Sequence, residues 1–158
     1  MSTRPTEPFR QEHEALLEHL EHIRLAGREI PRLSPEEREA VVGRVLDFLH
    51  GTLLPHAEAE EAVLYPEWAR LVGYPDAAVP MVHDHRAIVA RVEQLAATPR
   101  DDADTLQELL YGLYALILVH FRKEEDVQLP VFDEQPKEVV EQVLRRMESH
   151  AGGAHVQA

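Results

Sequence analysis

Cysteine is absent from this chain of 158 residues, which excludes disulfides, thiolate nucleophiles, iron–sulfur clusters and thiolate zinc sites together. Any metal must therefore be held by nitrogen and oxygen. Basic residues are also in short supply, with 16 Lys plus Arg against 29 Asp plus Glu and a formal charge of −13. A phosphate backbone or an anionic bilayer would be repelled, so neither nucleic acid nor membrane is an expected partner. No apolar run of about 18 residues occurs, and the segment from Met1 to Arg10 is polar, without an apolar h-region. The expected compartment is the cytoplasm. Apolar and polar residues nowhere alternate convincingly at period two, which removes the signal for strands.

What the chain does have is Leu, Ala, Glu, Arg and Val at spacings of three and four, between boundaries marked by Gly and Pro. That pattern reads as all-α. A first helix is expected from near Pro8 to about Gly27. Ser34-Pro35-Glu36-Glu37 supplies an N-cap, a proline at the first helical position and a capping-box glutamate for a second helix reaching about Tyr65. Pro55 should bend that helix just before His56 unless the residues beyond hold it straight. A connection containing Trp68 leads to a third helix, about Ala77 to Ala97, and a fourth follows from about Asp102 to Gln128. Pro130 and Pro136 bracket the last linker. A final helix, Lys137 to Ser149, carries the stripe Val139, Val140, Val143, Leu144 and Met147. The expected architecture is one domain over residues 1–150, an up-down-up-down four-helix bundle with a short fifth C-terminal helix, and a disordered tail over 151–158.

A hidden repeat places four of the ten histidines. The seam of the second helix reads Val42, Leu46, Leu49, Leu53, His56, Glu60 and Val63. Adding 64 gives Leu106, Leu110, Leu113, Ile117, His120, Glu124 and Val127 on the fourth, and Pro66 maps onto Pro130. The first and third helices match likewise: Phe9, His13, Leu16, Leu20 and Ile23 become Met81, His85, Ile88, Val92 and Leu95 on adding 72. His13, His56, Glu60, His85, His120 and Glu124 thus occupy seam positions that should otherwise be apolar. In an up-down-up-down bundle they fall at one level, within a few ångströms at about 1.5 Å rise per residue.

One histidine on an apolar face is commonly a hydrogen-bonded core residue. Six donors at one level are different, because two buried carboxylates with no Lys or Arg on the seam call for a positive partner. Metal supplies it. If both glutamates bridge, they and the four histidines leave roughly a third of two octahedral shells for oxo, hydroxo, water or substrate; this favours iron, leaves manganese and zinc open and disfavours calcium. His19, His22, His50, His150 and His155 lie off the seams or in the tail. Glu61 and Glu125 read as solvated, or as bonded behind the ligands.

From Glu12-His13-Glu14 through His56-Ala57-Glu58-Ala59-Glu60-Glu61 with its trailing Leu64-Tyr65-Pro66, and on to Asp84-His85 and His120-Phe121-Arg122-Lys123-Glu124-Glu125, the sequence resembles the hemerythrin-like, or HHE cation-binding, family. The resemblance implies a non-haem di-iron centre, with His13, His56, His85 and His120 as terminal ligands and Glu60 and Glu124 as bridges. Two departures stand out. Oxygen-carrying hemerythrins place two histidines four residues apart on the third helix, where this chain has Met81 before His85; His83 is turned about 200° away. The fourth-helix motif ends in Glu at the fourth position, where the carriers have Asp at the fifth.

Leu16, Leu53, Ile88 and Ile117, one turn from each histidine, are expected to form a dry floor over the open iron positions, admitting dioxygen, nitric oxide or peroxide and excluding larger molecules. The leading expectation is a di-iron protein that processes such oxidants, with catalase-like peroxide decomposition. Its alternative is a non-catalytic module that binds or senses oxygen or iron. A weaker one is a structural bundle with adventitious zinc.

Overall fold

The computed structural model describes residues 4–154, and no strand occurs among them. Helix α1 (Glu7–Glu29) starts with Pro8 in its first turn and closes into a short 3-10 turn, Ile30–Arg32. Ser34 then caps α2 (Pro35–Phe48) with a reciprocal pair: Glu37 N–H donates to Ser34 Oγ at 3.2 Å, and Ser34 N–H donates to Glu37 Oε2 at 2.8 Å.

After α2 the chain stays helical where the sequence suggested a bend and a connection. A π turn, Leu49–Leu53, leads into α3 (Leu54–Ala59), a second π turn, Glu60–Leu64, leads into α4 (Tyr65–Val72), and the rod over residues 35–72 is unbroken. Gly73 ends it in the left-handed conformation at φ 71°. Helix α5 (Val79–Ala97) follows. Helix α6 (Ala103–Lys123) then continues through a third π turn, Glu124–Gln128, into α7 (Leu129–Asp133), a second long rod over 103–133. The fifth helix in the packing, α8 (Lys137–Ala154), extends past the expected end at Ser149. His150 is therefore on a helix. Of the tail expected to be disordered, 151–158, residues 151–154 continue α8, and 155–158, with His155, lie outside the described residues.

Three prolines share one solution. Pro55, Pro66 and Pro130 each come two residues after a π turn, in the first turn of the next α segment. A proline ring inside an α-helix strikes the carbonyl four residues back, here that of Gly51, Ala62 or Asp126, each inside a π turn. The wider turn moves that carbonyl aside and pairs its neighbours one residue further on, as in Glu60 C=O with Tyr65 N–H and Glu124 C=O with Leu129 N–H. The prolines bracket no loop because the helices are already widened ahead of them.

Helix α6 packs along α1 and α5, and α2 touches both of the latter. A Cβ at Gly27 would lie 3.1 Å from the Tyr111 ring and 3.3 Å from Leu110 Cβ, so glycine there permits the close approach of α1 to α6. Leu16, Leu20, Leu49, Ile88, Leu113 and Ile117 belong to one apolar cluster. Phe9, Leu64, Leu129, Phe132, Val140 and Met147 belong to another. The chain crosses from one to the other at the histidines and glutamates, which form a buried polar layer between them.

The repeat is imperfect in packing. Val63 is 6% exposed because α8 lies across α3 and the turn Glu60–Leu64, whereas Val127 is 57% exposed among the described residues. The seam therefore ends at Glu124 in the second copy, and Gln128 is buried beyond it. Leu46 is only half-buried, and Val45 takes its inward place.

Candidate metal centre

All six side chains singled out for the centre are buried. Helix α1 brings His13, α3 brings His56, α5 brings His85 and α6 brings His120. Glu60 and Glu124 each open a π turn, where the local widening carries the carboxylate inward one turn after its histidine.

The two glutamates face two ways. Glu60 Oε1 lies 2.7 Å from His56 Nε2 and 3.8 Å from His13 Nε2, while its Oε2 lies 3.2 Å from His85 Nε2 and 4.0 Å from His120 Nε2. Glu124 divides similarly, with Oε2 3.4 Å from His13 Nε2 and Oε1 3.3 Å from His120 Nε2. Two donor groups result, each with ligand atoms within 4.8 Å: His13, His56 and Glu60 in one, and Glu60, His85, His120 and Glu124 in the other.

Each of the four histidines of the cluster turns Nε2 inward and Nδ1 outward toward a carboxylate on another helix. His56 Nδ1 is 3.1 Å from Glu12 Oε1, His85 Nδ1 is 2.8 Å from Glu61 Oε1, and His120 Nδ1 is 2.9 Å from Asp84 Oδ2. His13 Nδ1 is 3.4 Å from Glu125 Oε1. Each outer carboxylate adjoins an inner residue in sequence, so the contacts run as a closed ring around the four rods. Such partners fix the imidazole tautomer and raise its basicity toward a metal. Lys123 holds Asp84 from outside.

Tyr65 was not among the residues assigned from sequence. It is 2% exposed, and its hydroxyl donates to Glu124 Oε1 at 2.6 Å while lying 3.2 Å from His85 Nε2 and 3.1 Å from His120 Nε2. Its signal was the place where the +64 copy fails: Pro66 maps onto Pro130, but Tyr65 maps onto Leu129. His83 is exposed and turned away from the cluster.

Charge in the centre balances through protons when only protein is considered. Burial opposes protonation of His56, but the charge of Glu60 and the bond to Glu12 overcome it and raise its pKa well above the usual value. His120 is pushed to about 10 against burial by Glu124 and Glu60. Glu60, despite burial, is held well below the carboxylate range by His56 and the other histidines. Burial, then the charges of Glu60 and Glu124, raises the Tyr65 hydroxyl, so it stays protonated.

The donor set suits a cation. His13 Nδ1 and Nε2, His56 Nε2, Glu60 Oε1 and Glu124 Oε2 are buried without a hydrogen-bond partner, an arrangement that costs stability unless something positive sits among them. The ion pairs of Glu60 and Glu124 among the described residues are all with histidines.

A cavity of about 330 Å³ reaches the centre between the rod containing α3, α5 and α6. Leu53, Ile88 and Ile117 line it; Leu16 does not. Leu16 is instead packed in the apolar cluster where α1 runs along α6, and Phe121, which stacks on His13 at 4.4 Å, takes the wall position. A second cavity, about 290 Å³, reaches His56 from the α1–α8 side.

Residues 4–132 match the family described as hemerythrin HHE cation binding domain. No curated protein and no solved structure matches the chain.

Proposed function

The chain belongs to the hemerythrin HHE cation-binding family, and from that premise we propose that the buried cluster holds two iron ions and that the protein binds and processes small oxidants: peroxide, dioxygen or nitric oxide. His13 and His56 would hold one ion, His85 and His120 the other, with Glu60 and Glu124 bridging. The observation that carries this reading is the division of each glutamate, one oxygen toward each histidine pair. We also propose the up-down-up-down order for the four rods, which the neighbours of α6 and α2 support.

Bound iron would supply a redox couple and open positions for a small oxidant. The protein's own residues divide the remaining tasks. The ring of outer carboxylates orients the four imidazoles, and Glu60 and Glu124 neutralise charge. Tyr65 keeps its proton on Oη and holds Glu124 Oε1 in place. It stands beside His85 and His120, the side on which the oxygen carriers have their additional histidine. Leu53, Ile88, Ile117 and Phe121 limit water over the cluster.

Disproportionation of peroxide to water and dioxygen fits this site because it needs no outside reductant. A cytoplasmic location and the absence of nucleic acid and membrane partners complete the reading, supported by the charge of −13 and by the lack, among the described residues, of a helix long and apolar enough to cross a membrane. Iron-loaded protein should consume peroxide with release of dioxygen, measured by oxygen electrode beside metal analysis. Intact peroxide with a long-lived reversible oxygen adduct would decide for a binding or sensing module instead.

A further inference from the structure

The four carboxylates behind the histidines are not equally compensated from outside. Asp84 Oδ2 is shared: it lies 2.9 Å from His120 Nδ1 and also accepts a hydrogen bond from Lys123 Nζ. Among the described residues no Lys or Arg pairs with Glu12 or Glu61, whose ion pairs are with His56 and His85 alone. Arg122 stands 3.8 Å from Glu125, but on Oε2, whereas His13 faces Oε1, and the arginine side chain is 61% exposed. Among the described residues, His120 is therefore the one histidine of the four whose partner oxygen is held by a cation as well.

A second feature falls on the same side. The Tyr65 hydroxyl donates to Glu124 Oε1, the oxygen toward His120, while Glu124 Oε2, toward His13, accepts no hydrogen bond. A cation or a donor that draws charge away from a ligand leaves less of it to compensate a metal, and so favours the less positive, reduced ion. Both features act on the group that contains His85 and His120. The cavity of about 330 Å³ is lined by both of these histidines and not by His13. We propose that Lys123, acting through Asp84, is a positioning residue for His120 that raises the reduction potential of the ion on the His85 and His120 side, so that this ion takes the first electron. In peroxide disproportionation the electrons come from the peroxide molecule that is oxidised to dioxygen, which gives up two electrons and two protons, one electron for each ferric ion. The proposal rests on the two-iron reading and deepens it by setting the order in which the two positions are reduced.

Mediated potentiometric titration of the iron-loaded chain, followed by Mössbauer spectroscopy, should give two one-electron steps, with one ferric and one ferrous ion in the half-reduced form. Lys123→Met should shift the reduction equilibrium of the upper step by about tenfold, a lowering of about 59 mV for one electron, and leave the lower step nearly in place. Lys123→Arg keeps the charge and should stay near the native value. In an Asp84→Asn background Lys123→Met should change nothing further, which identifies the shifted step with the ion on His120. One readout needs no iron: in the metal-free chain the His120 Nδ1 proton should move downfield in Lys123→Met, because Asp84 then accepts more strongly, while that of His85 stays. A single two-electron step in the native chain, an upper step unmoved with two irons bound, a shift of the lower step instead or of both equally, a Lys123→Arg variant that behaves as Lys123→Met, the full shift persisting without Asp84, or an unmoved His120 proton would each overturn the proposal alone. Fewer than two irons in the native chain sinks the two-iron reading, and the proposal with it.

Discussion

The rods over residues 35–72 and 103–133 carry the same motif 64 residues apart, histidine, glutamate, π turn and proline, yet they finish differently. In the first, Tyr65 enters the centre and α8 covers Val63. In the second, Leu129 occupies the matching position in an apolar cluster, and Val127 faces solvent. The shared portion builds a near-symmetric set of donors. The unshared portion makes the two donor groups unequal, because the Tyr65 hydroxyl reaches only the His85 and His120 side. Symmetry of sequence therefore extends to the ligands and stops at what surrounds them.

The sharpest test of the shared portion is removal of a bridge. Glu60→Ala and Glu124→Ala should each reduce bound iron from two per chain to none, measured by elemental analysis, because each carboxylate is assigned to both ions. Loss of a single ion from either variant would mean that the glutamates are terminal ligands. His85→Ala should lose at least the ion on its side, while His83→Ala, altering an exposed residue, should keep both. Equal loss from the two would place the start of α5 in a different register.

Tyr65→Phe probes the inequality of the two sides. Removing the hydroxyl leaves Glu124 Oε1 without its donor in a buried site, which should cost the metal-free chain about 1–3 kcal/mol in chemical denaturation. Iron should weaken first at the His85 and His120 position. Uniform weakening of both ions would show that the tyrosine acts on the bridge rather than on one side.

Proton competition gives a pH dependence with a definite sign. His120, raised to about 10, and His56, raised well above 6.5, stabilise the metal-free fold fully below pH 6.5, and that contribution fades as pH rises through their folded values. Glu60, held well below 4.5, contributes above pH 4.5 and ceases to as pH falls through its folded value. Metal must displace the histidine protons, so iron affinity should rise between pH 6 and 9 and loading should release protons. Affinity that does not change over this range in a competition titration would contradict protonated histidines in the metal-free centre.

The smallest expected difference lies at the ends of the rods. Val63→Ala opens space beneath α8 and should cost about 1–3 kcal/mol, whereas Val127→Ala should stay within about 0.5 kcal/mol. Similar thermal shifts in both variants would mean that α8 does not hold its place on α3 in solution.

Much of the centre was legible in the linear chain because helical periodicity fixes the angle at which each side chain leaves its helix. His13, His56, Glu60, His85, His120 and Glu124 all stand on seams of three and four. The prolines were read as boundaries, since a ring in a regular α-helix breaks it. The six-residue spacing from Glu60 to Pro66 and from Glu124 to Pro130 is, in hindsight, the mark of a widened turn. Leu16 shows the limit of the same logic. It points inward as its phase requires, but it packs in the apolar cluster and does not line the cavity that Leu53, Ile88 and Ile117 share.

Sequence by itself determined the helical class, most of the inward faces, the repeat and the burial of the six candidate donors, all of which depend on spacing along one chain segment. Only tertiary structure decided which oxygen of Glu60 or Glu124 meets which histidine, and that Glu12, Glu61, Asp84 and Glu125 close a ring behind them. It alone brought Tyr65 into the centre, put Phe121 in the wall and laid α8 on one copy of the repeat. The reason is physical: periodicity sets direction around a helix axis, but contact across the bundle depends on axial offset, on the register slip of each π turn and on how closely neighbouring rods approach.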